Sequence, residues 1–176
     1  MADTLDLQIV TPTGVALHKQ VSELMAPSVA GEFGVLAGHV PLLAALKPGI
    51  VTAKSSGEET RVAVGNGFAE INNEKALILT ERFAKKEDVD IVAVRARLKE
   101  VGDILAAWTG QHTDPERRAL IEEEQWLAAE LELIGDPPQP TVREDTRFVD
   151  NDALVVGDEE VPSGGPLPVS GDMHSD

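Results

Sequence analysis

The sequence predicts an all-β N-terminal domain, an antiparallel sandwich or barrel, followed by an antiparallel α-helical hairpin. Three observations predict it. Residues 3–83 fall into short runs of alternating apolar and polar side chains, cut at close intervals by turn residues. After Phe83 the apolar spacing changes to that of a helix face. A single short proline-bearing break then divides the helical stretch in two.

The strands come first. Leu5, Leu7 and Ile9 alternate with polar neighbours, as do Val21, Glu23 and Met25. Ile50-Val51-Thr52-Ala53, Arg61-Val62-Ala63-Val64, Phe68-Ala69-Glu70-Ile71 and Ala76-Leu77-Ile78-Leu79-Thr80 follow. Turn signals separate them at Pro12-Thr13-Gly14, Pro48-Gly49, Ser55-Ser56-Gly57, Gly65-Asn66-Gly67 and Asn72-Asn73. Gly65-Asn66-Gly67 reads as a hairpin turn between two strands. A parallel sheet needs crossover helices, and this stretch has no room for them.

The helices come next. Ile91, Val94, Leu98, Val101, Leu105 and Trp108 recur at alternating intervals of three and four, an apolar seam along one helix face. Asp88 is placed to cap the start of this helix and Gly110 to end it. Thr113-Asp114-Pro115-Glu116 reads as a capping box with proline in the first turn. The second helix presents Leu120, Leu127, Leu131 and Ile134, flanked by Trp126 and Leu133, until Gly135-Asp136-Pro137-Pro138 stops it. So short a connection makes the two helices antiparallel neighbours.

For a hairpin of this size, apolar burial and helical hydrogen bonds nearly cancel the entropy of ordering the chain. It needs a surface to lean on, either the sandwich or a partner. Two readings stay open: a hairpin folded permanently on its own sandwich, and a switch balanced between two docking sites. From residue 135 onward the chain is rich in proline, glycine and acid, and it reads as a disordered, self-repelling tail with Val155-Val156 at most a docking strand. The domain division is thus 1–84, 87–134 and 135–176.

Composition excludes several functions. The net charge of −16 lacks the basic footprint that nucleic-acid binding requires. Its distribution follows the division above: −1 over residues 1–86, −7 over 87–134 and −8 over 135–176. Without cysteine there are no disulfides, thiolate metal sites or cysteine nucleophiles. His18, His39, His112 and His174 have no metal-ligand spacing, so no metal is expected, and no Walker-type phosphate loop exists. Neither a secretory leader nor an apolar span long enough to cross a bilayer is present. The expectation is a soluble, cytoplasmic protein without cofactors, associating with a membrane only through a partner.

One segment stands out: Ala30-Gly31-Glu32-Phe33-Gly34-Val35-Leu36-Ala37-Gly38-His39-Val40-Pro41-Leu42-Leu43. Its glycines permit sharp or left-handed backbone, while Phe33, Val35 and Leu36 indicate a buried strand between loops. Glu32 and His39, each beside a glycine, read either as ordinary loop polars or as a carboxylate and an imidazole presented to a partner from two loops at one edge. A small hydrolase built on the two lacks a nucleophile and an orienting group, and an unrelated sandwich module would make the long motif a coincidence.

This motif, followed by Leu46-Lys47-Pro48-Gly49 and later Val64-Gly65-Asn66-Gly67-Phe68, closely resembles the signature of ATP synthase epsilon subunits, the chloroplast form and the mitochondrial subunit called delta included. The likeness runs in order and spacing from residue 5 to about residue 80. It implies a sandwich of about ten antiparallel strands, bound to the gamma subunit and resting on the c-ring, in a non-catalytic rotor subunit. It assigns Glu32 to the c-ring side, His39 to the gamma contact, and Gly34, Gly38 and Pro41 to the same interface. It further implies that the helices, through the seam of Ile91, Val94, Leu98, Val101, Leu105, Trp108, Leu120, Leu127 and Leu131, fold on the sandwich or extend toward the alpha and beta catalytic subunits and block hydrolysis. The location implied is peripheral, on the cytoplasmic face of a bacterial inner membrane.

The chain departs from the family pattern in three places. Ala37 stands where proline is usual, a change in loop stiffness. The Asp-x-x-Arg-Ala motif through which some members bind ATP is not reproduced. Asp90 precedes Arg95-Ala96 by five positions, a turn of roughly 140° along a helix, so the pair would not share a face and nucleotide binding is not carried over. The acidic tail beyond Gly135 is also outside the usual pattern.

Overall fold

Alternation sets the first strand: β1 (Leu5–Thr11) points Leu5, Leu7 and Ile9 into the core, each fully buried. The computed structural model describes residues 4–139. After β1 come β2 (Gly14–Val21), β3 (Glu23–Ser28), β4 (Gly31–Leu36), β5 (Leu42–Leu46), β6 (Gly49–Ser55), β7 (Glu58–Val64), β8 (Gly67–Asn72), β9 (Lys75–Thr80) and β10 (Phe83–Ala84). A 3-10 turn at Lys86–Asp88 leads to α1 (Ile91–Ala106) and α2 (Pro115–Leu133).

The ten strands form one continuous sheet in the order β10-β7-β6-β3-β5-β8-β9-β1-β2, with β4 paired to β3. It doubles over where β3 meets β5 through the Ser28–Leu46 pair, giving two layers. Between them lies the first core, where Leu24, Val35, Leu46, Val51, Val62, Val64, Ile71 and Ile78 join the β1 residues. Lys19 Nζ, on β2, closes the far side by donating to Glu58 Oε2 and Thr60 Oγ1 of β7 at 3.0 and 2.9 Å.

A second core lies outside the first. On β6 and β7, Ile50 and Ala63 face away from the sandwich interior and are nevertheless buried, together with Ala84. The unbroken apolar run Val62-Ala63-Val64 is the sequence signature of a strand covered on both sides. The cover is α2. Trp126, Ala129 and Leu133 follow one another at intervals of three and four, while Leu127, Leu131 and Ile134 occupy the adjacent stripe with Val94, Leu98, Val101 and Leu105 of α1 in the same cluster. Alpha helix α2 therefore packs against both the sheet and α1.

Several expectations need correction. One pairing is parallel: β1 with β9, in register from Asp6–Lys75 to Val10–Leu79. No crossover helix is required, because the rest of the sandwich itself carries the chain from one strand to the other. Gly65-Asn66-Gly67 is not a hairpin turn, since β7 and β8 are not neighbours and the segment connects the two layers. The alternating run at Val21–Met25 breaks at Ser22; Val21 ends β2, and the inward residues of β3 are Leu24 and Ala26. Asp88 caps the 3-10 turn by accepting from Lys85 N at 3.1 Å, and Asp90 is the cap of α1, accepting from Val92 N and Ala93 N at 3.1 Å. Helix α1 ends at Ala106 rather than at Gly110, and Asp114, one residue later than Thr113, caps α2 through Glu116 N at 3.1 Å. The seam is shorter than its periodicity suggests. Ile91 is 43% exposed, and Trp108 lies past the helix end, donating from its indole to Gln111 O at 3.3 Å. The tail beyond residue 139, including Val155-Val156, lies outside the described residues.

Candidate functional site

The two outer faces of the sandwich differ. That of β6 and β7 is covered by α2, whereas among the described residues that of β5, β8, β9, β1 and β2 is uncovered, polar around Asp6, His18, Gln20 and Glu70 and apolar in a band at the other end. Strand phase produces the second. Ala69 and Ile71 point inward on β8, so Phe68 points out; Ile78 points inward on β9, so Leu79 points out. Cross-strand pairing then lines up Ala45 with Phe68, Phe68 with Leu79, Leu79 with Val10, and Val10 with Val15. The band crosses five strands, and Phe68 (56% exposed), Leu79 and Val15 are open to solvent, with Leu43 exposed farther along β5. A contiguous apolar stripe of this kind is a candidate docking surface, whereas single exposed apolar residues are not. The sequence reading did not find it. The available signal was Phe68, an aromatic residue on the outward phase of its strand.

At one end of this face Thr80 holds the layer connection in place. Its buried hydroxyl accepts from Gly65 N at 3.0 Å and lies 3.2 Å from Asn66 O and 2.9 Å from Arg82 O, either of which it can donate to. Gly67 passes so close to β9 that a Cβ there would lie 1.9 Å from the Leu79 carbonyl oxygen. Only glycine fits.

Glu32 lies within β4, exposed and opposite Pro27, rather than in a loop. His39 is half-buried past the other end of that strand, and its Nδ1–H donates to Val40 O at 2.7 Å. The strand from Glu32 to Leu36 alone spans roughly 13 Å, so the structure does not bring the two side chains together. Between them, Gly34 leaves room for the Met25 sulfur and Gly38 takes a φ of +79°, while Pro41 is exposed. Among the described residues no group of three or more metal-ligating side chains occurs, and no helix is long and apolar enough to cross a membrane.

In the hairpin, Arg97 of α1 grips Glu123 of α2 with two hydrogen bonds of 2.8 and 2.9 Å and Glu100 with a third of 2.9 Å. These bonds hold the Glu123 carboxyl below its usual range and raise the guanidinium further. Arg95 pairs with Asp136 just beyond α2, its Nε donating at 2.9 Å. Asp90 and Arg95 are thus engaged separately, the first as the cap of α1 and the second in an ion pair with Asp136. Glu130, half-buried on α2, has its carboxyl pushed up by burial. Arg61 of β7 reaches Glu132 at 4.0 Å, and the Arg82 guanidinium sits 5.9 Å from the centre of the Trp126 ring.

Residues 4–86 match the family model described as the ATP synthase, Delta/Epsilon chain, beta-sandwich domain. The chain is 42% identical over 95 residues to the ATP synthase epsilon chain of Nitratidesulfovibrio vulgaris (strain DP4), covering 54% of this chain and 71% of that one. With the epsilon chain of Synechococcus sp. (strain JA-2-3B'a(2-13)) it shares 34% over 102 residues, 58% of this chain and 74% of the relative. Its fold is that of a chain in the Euglena gracilis mitochondrial ATP synthase, with a TM-score of 0.63 at 23% identity over 75% of this chain and 81% of the other. On its sandwich, its hairpin and these likenesses, the chain belongs to the family of ATP synthase epsilon chains.

Proposed function

We propose that this chain is a central-stalk rotor subunit of an F-type ATP synthase, coupling proton flow through the c-ring and gamma to ATP synthesis while its C-terminal helices restrain ATP hydrolysis. As an epsilon chain it is a non-catalytic subunit. The observation that carries the reading is the unequal treatment of the two sandwich faces: one is covered by α2, the other is left as an apolar band centred on Phe68 and Leu79. A permanent partner is what such a band requires, and gamma is the partner the family supplies. His39, Gly38 and Pro41 belong to the same gamma-facing region, and Glu32, exposed on β4 with Gly34, faces the polar loops of the c-ring. The division into a docking sandwich (1–84), a regulatory hairpin (87–134) and an acidic tail (135–176) follows. Peripheral attachment to the cytoplasmic face of a bacterial inner membrane then comes through these partners.

The hairpin's removal leaves a sandwich whose newly exposed core residues are Ile50, Ala63 and Ala84, a modest area. A chain ending at Ala84 should therefore fold and assemble, and the ATPase activity of the assembled enzyme should rise. Unchanged hydrolysis would show that the hairpin does not inhibit. Glu32→Gln should loosen coupling between proton flow and ATP turnover with the sandwich still folded; normal coupling would remove Glu32 from the c-ring contact. Phe68→Glu should abolish co-purification with gamma, and retention of gamma would place the interface elsewhere.

A further inference from the structure

We propose that Arg82 is the latch by which the sandwich holds the hairpin, one guanidinium engaging Trp126, Glu123 and Glu130 along a single face of α2. The inference deepens the reading of the hairpin as a regulatory element and rests on it for its purpose, though not for its geometry. Positions 123, 126 and 130 are spaced by three and four, so their side chains share one stripe of the helix. The Arg82 guanidinium lies 5.9 Å from the centre of the Trp126 ring, within the range of cation–π attraction. Its charge also acts on the carboxylates flanking that ring, favouring the ionised form of Glu123 and offsetting part of the burial that opposes ionisation of Glu130.

The latch is carried on fixed backbone. Arg82 O accepts from Gly65 N at 3.0 Å and lies 2.9 Å from the Thr80 hydroxyl, and the open side of Gly65 leaves space that a Cβ would take at 3.0 Å from Arg82 Cβ. The guanidinium thus projects from a rigid platform between β9 and β10 toward a helix that belongs to another layer. Most charge pairs of the hairpin are internal to it: Arg97 with Glu100 and Glu123, Lys99 with Asp103, Arg95 with Asp136. Arg97–Glu123 ties α1 to α2 and Arg95–Asp136 ties α1 to the residues just past α2, the other two pairs lie within α1, and none of the four holds α2 to the sheet. Across that second joint the polar ties include Arg82 and the longer Arg61–Glu132 pair at 4.0 Å. Arg82 therefore adds to the apolar packing that docks the hairpin, without affecting whether the hairpin is formed.

The test is hydrogen exchange on the full-length chain, comparing wild type, Arg82→Lys and Arg82→Ala. Loss of a cation–π contact and of the guanidinium's attraction for two carboxylates should speed exchange of α2 amides roughly two- to tenfold in Arg82→Ala. Amides of β1 and β9 should not change, and Arg82→Lys should fall between. Added salt should move wild type toward Arg82→Ala and move the latter less, through the Arg61–Glu132 and hairpin ion pairs that it keeps. In a Trp108→Phe background, where Trp126 is the remaining tryptophan, acrylamide should quench its fluorescence more in Arg82→Ala than with Arg82 in place. Unchanged α2 exchange, or equal acceleration in α2 and the sandwich, would overturn the latch. ATPase activity of the assembled enzyme is read separately: a shifted exchange pattern with unaltered hydrolysis keeps the latch and removes the inhibitory role of the hairpin.

Discussion

The molecule has two cores, and they are built differently. The sandwich core draws its buried residues from nine strands, β1 to β9, and its large members Leu5, Leu7, Ile9, Leu24 and Ile78 have no exposed surface. The second core is a layer of helix between a sheet and another helix, and Val94, Trp126 and Leu127 in it stay 7 to 9% exposed. Opening the first core means breaking strand pairs between residues far apart in sequence. Opening the second means lifting one helix pair from Ile50, Ala63 and Ala84. A chain built this way can keep a rigid docking body while moving an appendage.

The sharpest way to break that contrast is at Gly67. Because a Cβ would meet the Leu79 carbonyl at 1.9 Å, Gly67→Ala should cost more than about 4 kcal/mol and prevent the layers from closing, as seen by urea denaturation. Next comes Ile78→Ala, for which loss of a fully buried side chain should cost about 3 to 4 kcal/mol and lower the midpoint of the whole molecule. Leu131→Ala should cost about 2 to 3 kcal/mol, felt as faster exchange in α1 and α2 with the melting of the sandwich unchanged. A joint fall in both would mean that the cores are one cooperative unit.

The smallest effect is electrostatic. Burial raises the Glu130 carboxyl above its unfolded value, so its contribution to stability is complete below that unfolded value and is lost as pH rises through the folded one. Glu123 runs the other way: held low by Arg97, it stabilises above the unfolded carboxylate value and stops doing so as pH falls through its folded one. Glu130→Gln should therefore stabilise the hairpin at neutral pH, by less than about 1 kcal/mol because solvent screens the site. It should also leave only the acid-side loss due to Glu123, measurable by circular dichroism across pH.

What was legible in the sequence was what depends on neighbours in the chain. Leu5, Leu7 and Ile9 announce β1 by alternation, and Val94, Leu98, Val101 and Leu105 announce the working part of the α1 seam by spacing. Spacing cannot say where a helix stops, which is why Ile91 and Trp108 fall on the seam by periodicity although one is exposed and the other lies past the last turn. Pairing between distant strands leaves no local mark, so the parallel β1–β9 ladder and the layer connection at Gly65–Gly67 were missed. The band around Phe68 was missed for the same reason: Phe68, Leu79, Val10 and Val15 become neighbours only when four strands are laid side by side. Of the candidate contact residues, Glu32 and His39 could be picked out by their setting in the motif, but their separation by the length of β4 could not.

The parallel ladder between β1 and β9 bears on how the protein is made. On a ribosome, β1 is synthesised long before the Lys75–Leu79 stretch it must lie beside, and until then only its β2 neighbour is available to it. An early hairpin of β1 and β2 therefore waits with one edge unpaired, and the slow, long-range step of biogenesis is the arrival of β9. The helices emerge later still, onto a body that has already closed.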